Sequence, residues 1–299
     1  MRWEDRVYGE VEVTDRAILG IIETPTFRRL KGVRQAGPSA IAFPFKNVTR
    51  YEHSLGVHVL LTRLGVGRQE QVAGLLHDIS HTAFSHAVDF LVTSDDQDHH
   101  ESLKPEMLDR PDVVAALAPL GFTPRDFYDD SRYPVLERPL PWLCADRLDY
   151  FLRDGLACRA LTPGQVARFL EHVRVVDATI VLADAAVARE VQACFAEMNR
   201  DWWASPTEAY IYNEFADALR EGFRLGVITD EDLLSEDQKV LAKLDAAGSP
   251  RIAAKLAAIR HFDPARVEGY TPRVIPKERW LDPPVATGDG YRRLSEMSR

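Results

Sequence analysis

The residues most able to do chemistry cluster between positions 50 and 100. Histidines stand at 53, 58, 77, 81, 86, 99 and 100, and an aspartate follows His77 directly. The His77-Asp78 pair closes an apolar run, VAGLLHD, where a buried charge is costly unless something compensates it. A metal ion is the most direct compensation. If His53 sits on a helix starting at Arg50, His77 and Asp78 end a later helix, and Asp146 lies on a third, three helices supply two imidazoles and two carboxylates. Mixed nitrogen and oxygen ligation suits a divalent transition metal (Mn, Fe, Co, Ni or Zn), with positions left for water and substrate oxygens. On spacing alone a plainer reading stays open, because a buried histidine is more often a satisfied core residue.

The surroundings favour the metal. Arg50 and His53 are three apart and share a helix face. His81 and His86 follow the His-Asp pair closely. His86 and Asp89 are also three apart, a spacing that fixes an imidazole in one tautomer and keeps it protonatable. Asp146, Tyr150 and Asp154 form one stripe along an expected helix over 140–154, with Arg147 beside it. The rest of that helix is Leu, Trp, Cys and Phe, so the stripe faces a wet pocket.

The elements that must hold these residues are helical. Helices are expected from Asp15, from Pro25, over 50–64, 69–78 and 83–92, and from about His99. Beyond the 140–154 helix come a helix after Thr162-Pro163, a hairpin over 173–182, two long helices over 184–203 and 205–225, and shorter ones within 229–260. VYGEVEV at 7–13 alternates like a short strand, and 39–49 reads as an extended loop. Prolines at 264, 272, 276, 283 and 284 mark an irregular tail. The expected class is mainly α, a helical bundle with minor β-hairpins. We divide it into a catalytic core at 1–160, a helical continuation at 161–263 and the proline-rich tail at 264–299.

The chain has 299 residues and a net charge of −9. That balance argues against a nucleic-acid groove and leaves room for a small anion held by a local basic cluster. No apolar stretch approaches ~20 residues and no signal-peptide pattern is present, so the expectation is a cytoplasmic protein without a membrane partner. Cys144, Cys158 and Cys194 form no CxxC and read as thiols in a reducing compartment. Apolar faces in 184–225 could pair with a second copy, and a homo-oligomer is expected.

His53, His77-Asp78 and Asp146 together resemble the H…HD…D signature of the HD-domain metal-dependent phosphohydrolases. RYEHSLGV, AGLLHDISHTAFSH and ADRLDYFLRD, preceded by ETPTFRRLKGVRQAG, resemble four blocks of the deoxynucleoside triphosphate triphosphohydrolases within that family, in the right order. The resemblance runs over residues 7–155 and implies an HD-domain helical bundle. It implies His53, His77, Asp78 and Asp146 as metal ligands and Arg50 on a substrate phosphate. His81 would lie near the α-phosphate, and His86, backed by Asp89, would protonate the leaving 5′-oxygen. His100 would be a further active-site histidine. Gln35 and Asp154 would hold a sugar 3′-hydroxyl, and Tyr150 would pack under the sugar. Arg147 stands where the family commonly has a lysine on the phosphates. Arg200, Tyr210 and Asn213 fall where later helices of the family reach phosphates and base. The implied substrate is a (deoxy)nucleoside triphosphate, with Mg on its phosphates beside the resident metal.

Two departures matter. The common HDxGH is HDISH here, with Ser80 for glycine, and the C-terminal half is short. They leave room for a phosphatase or phosphodiesterase releasing orthophosphate from another nucleotide. A non-catalytic nucleotide sensor is the third reading, disfavoured by intact ligand positions and an intact His86.

Overall fold

Capping residues set where the helices begin. The Thr49 hydroxyl accepts from the amide of Glu52 and opens the helix Arg50–Arg63. Asp15 does the same for Arg16–Ile22, Thr162 for Pro163–Glu171, Asp184 for Ala185–Met198 and Ser205 for Pro206–Arg224. The computed structural model of the chain describes residues 1–91 and 99–297, and of residues 99 and 100 the backbone alone. The architecture is the expected one, mainly helical with small sheets.

The Arg50–Arg63 helix packs against Arg68–Leu76 and Ala145–Ala157. The approach to Arg68–Leu76 is close: a Cβ on Gly74 would meet Leu61 Cδ1 at 2.3 Å. These helices share one apolar core with the N-terminal segments, Pro163–Glu171 and Ala185–Met198. A second cluster joins Ala83, Phe84 and Phe90 to the helices Pro206–Arg224, Asp237–Ala246 and Pro250–Arg260.

Several elements differ from expectation for local reasons. The single strand at 7–13 is half of a hairpin, in which Arg2–Asp5 pairs with Gly9–Glu12. Residues 39–49 include a short helix, Ser39–Ala42. The helix expected from 140 starts at Ala145, because Pro139 and Pro141 cannot supply helical amides and the 138–142 loop is held elsewhere. The 83–92 helix is a 3₁₀ helix, Ser85–Phe90, entered through positive φ at Phe84 (61°) and Ser85 (51°). The proline-rich tail ends in order: Pro284–Thr287 and Gly290–Arg293 extend the Val173–Leu182 hairpin into a four-stranded sheet. Leu182 and Val285 pair in parallel across its centre.

The left-handed turn at Phe84 is pinned by Asp237. Its carboxylate accepts from the amides of Phe84 (2.6 Å) and Arg34 (2.9 Å). Burial pushes this carboxyl up to about 7, although both amides favour its charged form. A raised carboxyl contributes stability that is complete below its unfolded pKa near ~4 and is lost as pH rises through about 7. Asp237→Ala, which strands both amides, should lower stability to urea by about 2–4 kcal/mol. It should also remove this part of the pH slope. A variant with the wild-type slope would place the titration elsewhere.

Candidate metal centre and active-site cavity

His53 lies one turn into its helix and is fully buried. Its Nδ1 donates to Asp149 Oδ2 at 2.7 Å. The carboxyl of Asp149 would be raised by burial, but Arg153 and His53 hold it low, so the proton of that bond stays on the imidazole. His77 caps the Arg68–Leu76 helix, and its Nδ1 donates to the carbonyl of Gly74 at 2.8 Å. Both rings therefore turn Nε2 toward the same point. The two Nε2 atoms are 3.2 Å apart, and Asp146 Oδ1 lies 2.9 Å from one and 3.4 Å from the other.

Neutral imidazole lone pairs facing a carboxylate at these distances repel unless a proton or cation stands among them. Donors sharing one cation at ~2.0–2.1 Å are about 3 Å apart, so the set fits a divalent metal. Burial disfavours charge on His53, yet bonds to Asp146 and Asp149 and the field of Asp78 raise its pKa to about 10. The environment that draws a proton so strongly also draws a metal.

Asp78 stands one step back. Its oxygens are 3.5 Å from His77 Nε2 and 3.7 Å from His53 Nε2, within reach of the same cation. It also accepts from Arg50 Nη1 at 2.8 Å and meets His81 Nε2 at 3.1 Å. Burial alone would raise this carboxyl, but Arg50, His77 and His81 hold it well below its usual range. The four ligand positions thus come together, with His53, His77 and Asp146 tightest.

A cavity of about 540 Å³ opens beside them. Arg50, His81, His86, Tyr150, Asp154, Gln35 and Arg147 all line it. His86 Nδ1 meets Asp89 Oδ2 at 2.9 Å, and its ring stands edge-on to His81 at 4.9 Å. Gln35 Nε2 donates to Asp154 Oδ1 at 2.9 Å, and Trp203 Nε1 donates to Asp154 Oδ2 at 3.0 Å. Tyr150 packs edge-on against Trp203 at 5.2 Å. Arg147 brings its charge to the cavity, but its donors go to the carbonyls of Arg138 and Trp142 and to Glu137. It therefore holds the 138–142 loop. The His100 side chain lies outside the described residues. Ser80 is buried and is not a cavity wall. Arg200 pairs with Asp201 at the surface, Tyr210 packs on Tyr270, and Asn213 binds the backbone of Arg273 and Val274, so none of the three lines the cavity.

Sequence reasoning missed the layer behind His53. Arg153 is completely buried and donates to Asp149, Asp5 and Glu52, while Tyr8 donates to Asp149 at 2.8 Å. A Cβ on Gly56 would meet Arg153 Nη2 at 2.0 Å. A glycine in mid-helix, three positions after His53, was the available signal. Trp203, and Lys277 and Arg279 from the tail, carried no such sign.

The HD-domain family profile matches residues 50–130. The uncharacterized protein YdhJ of Bacillus subtilis is 34% identical over 302 residues, covering 100% of this chain and 92% of its own. The metal-dependent phosphohydrolase cns2 of Cordyceps militaris is 29% identical over 289 residues, 94% of this chain and 84% of that one. A deoxynucleoside triphosphate triphosphohydrolase SAMHD1 homolog of Dictyostelium discoideum is 27% identical over 205 residues, 58% of this chain and 39% of that one. The chain belongs to the HD-domain family of metal-dependent phosphohydrolases.

Asp149→Asn should weaken metal affinity by about 10- to 100-fold, the scale for losing the partner behind a ligating histidine. His77→Ala should abolish bound metal. Metal analysis of purified variants, with circular dichroism as the fold control, reads both. Full metal content in His77→Ala would refute the ligand assignment.

Proposed function

We propose that this phosphohydrolase cleaves (deoxy)nucleoside triphosphates to nucleoside and inorganic triphosphate, with manganese as the first metal to try. One observation carries the reading: Gln35 and Asp154 stand as a bonded pair in the cavity that His77, Asp78 and Asp146 also line. Gln35 and Asp154 are joined, and Gln35 Oε1 is buried with no hydrogen-bond partner among the described residues. A sugar hydroxyl would supply the missing donor. Tyr150, fixed by Trp203 and Phe195, gives the flat wall beside it.

A divalent cation held by His53, His77, Asp78 and Asp146 would supply Lewis acidity and an acidified water. The protein's own groups do the rest. Arg50 faces the cavity and pairs with a phosphate oxygen, neutralising charge where it accumulates. His86 donates a proton to the leaving 5′-oxygen from Nε2, while Asp89 holds Nδ1 and orients the ring. Gln35, Asp154 and Tyr150 fix the sugar, which sets the 5′-oxygen against His86.

A second reading has its own support. The relative named as a metal-dependent phosphohydrolase matches 94% of this chain, whereas the triphosphohydrolase homolog matches 58%. Both oxygens of Asp154 already accept protein donors. A different nucleotide, cleaved to orthophosphate, fits that arrangement.

Chromatography of products after incubation with dNTPs, NTPs and nucleoside monophosphates, in the presence of Mn, Mg, Fe or Co, separates the two. Nucleoside plus triphosphate is the expected outcome, and orthophosphate release establishes the second reading. His86→Ala should keep its metal and lose turnover by about 100-fold or more, the scale for a lost general acid. Unchanged turnover would assign the proton elsewhere.

A further inference from the structure

After the Pro250–Arg260 helix the chain must return to the strand Pro284–Thr287, and its route passes the cavity. The returning segment is tied down at both ends. Asn213 Oδ1 accepts from the amides of Arg273 and Val274, each at 3.1 Å, and Asn213 Nδ2 donates to the Val274 carbonyl at 2.8 Å. Arg273 also pairs with Asp217 at 2.7 Å. Beyond it, the Arg279 amide donates to Asn199 Oδ1 at 2.9 Å, Gln192 Nε2 donates to the Leu281 carbonyl at 2.8 Å, and the Asp282 amide donates to the Pro141 carbonyl at 2.9 Å. Between these anchors Pro276, Lys277 and Arg279 line the cavity, while Ile275 and Trp280 are 69% and 59% exposed.

The charge balance of the cavity gives this strap a task. Among the described residues, seven carboxylate side chains line the cavity against six basic ones: Lys46, Arg50, Arg138, Arg147, Lys277 and Arg279. Some of those cations already serve the protein. Lys46 pairs with Glu208 at 2.9 Å and Arg147 holds the 138–142 loop, while Arg50 is shared between Asp78 and the cavity. Arg138 lies over the Trp142 ring at 5.0 Å. Arg279 gives one donor to the Lys277 carbonyl at 3.2 Å and meets no carboxylate among the described residues. Its positive charge opposes the burial that raises the Tyr150 and Tyr212 hydroxyls, both on the cavity wall. A substrate with several phosphates needs more positive charge than one cation and Arg50 supply.

We propose that the Arg273–Asp282 strap is an anion-binding wall of the active site, with Lys277 and Arg279 binding the substrate phosphates beyond the one held at the metal centre. The proposal rests on the reading of the substrate as a nucleoside polyphosphate. The strap is fixed by its anchors, so the two cations are presented without a closing motion and little ordering is required when phosphate arrives.

The test separates the strap from the reaction. Metal-loaded protein is titrated calorimetrically with inorganic tripolyphosphate and with orthophosphate, neither of which needs turnover. Lys277→Ala and Arg279→Ala should each weaken tripolyphosphate binding by about tenfold, the scale of one charge-assisted hydrogen bond. Orthophosphate binding should stay within about twofold in both. Arg279→Lys keeps the charge and should recover most of the loss. Wild-type tripolyphosphate affinity in both alanine variants overturns the proposal, and so does a parallel loss of orthophosphate affinity. Product chromatography decides the reaction independently. Orthophosphate as the product refutes the triphosphohydrolase reading, and the tripolyphosphate titration still decides what the strap binds.

Discussion

Two imidazole nitrogens 3.2 Å apart, with a carboxylate oxygen beside both, define what the structure must sustain. Such a cluster does not hold itself together. Each ring is turned inward by a bond behind it, one to the Gly74 carbonyl and one to Asp149. Asp149 in turn needs a buried cation, and Arg153 needs carboxylates of its own. Asp5 answers from the N-terminal hairpin, where the same carboxylate also accepts the amides of Val7 and Tyr8. A fully buried guanidinium is tolerable only when its donors are nearly all met, and loss of any one partner strands the others. The hairpin at the start of the chain is therefore tied to the metal centre from behind.

The cavity in front shows the opposite arrangement. Its carboxylates are not all ionised to the same degree. Burial and the neighbouring Asp146 push the Glu137 carboxyl above the usual range, while His53 and His77 hold Asp146 well below it. Negative charge is thus concentrated on Asp146 and Asp78, beside the two imidazoles, and is reduced at Glu137 near the 138–142 loop. The same fold makes a strong cation site and keeps the adjoining wall less repellent to an anion.

Much of this was legible before any coordinates. Chemistry-bearing residues at helical spacing declare their own geometry: Arg50, His86 and the stripe Asp146, Tyr150, Asp154 reach one cavity, with His53 and Asp89 buried behind it. What escaped was of two kinds. Asp5 and Arg153 are joined across 148 positions, and no local pattern encodes such a pairing. The tail read as irregular because its prolines forbid helix, yet irregular backbone can be fully specified when side-chain amides such as Asn213 and Asn199 bind it. The helix start misplaced at 140 follows from weighing apolar periodicity above two prolines that exclude it.

The two apolar clusters give the site a further constraint. The candidate metal ligands His53, His77 and Asp146 belong to elements of the first cluster, whereas His86 and Asp89 ride on the 3₁₀ helix that packs into the second. The distance between the candidate metal ligands and His86 is therefore set by the joint between clusters. That joint is polar and specific. Arg29 donates to the carbonyls of His81 at 2.8 Å and Ile79 at 2.7 Å, bracing the turn after the His-Asp pair. Arg50 reaches from the metal side to Ser85 Oγ at 3.0 Å, and Ser85 passes the bond to the Arg34 carbonyl at 2.6 Å. Asp237 fixes the left-handed turn from the far side. Apolar packing tolerates small slides, but bidentate guanidinium bonds to carbonyls do not. Arg50 thus has two duties. It presents charge to the cavity and sets how far the second half of the molecule stands from the first. A substitution there would alter the charge facing the cavity and the placement of His86 together, which is the mark of a residue that acts both in the cavity and in its frame.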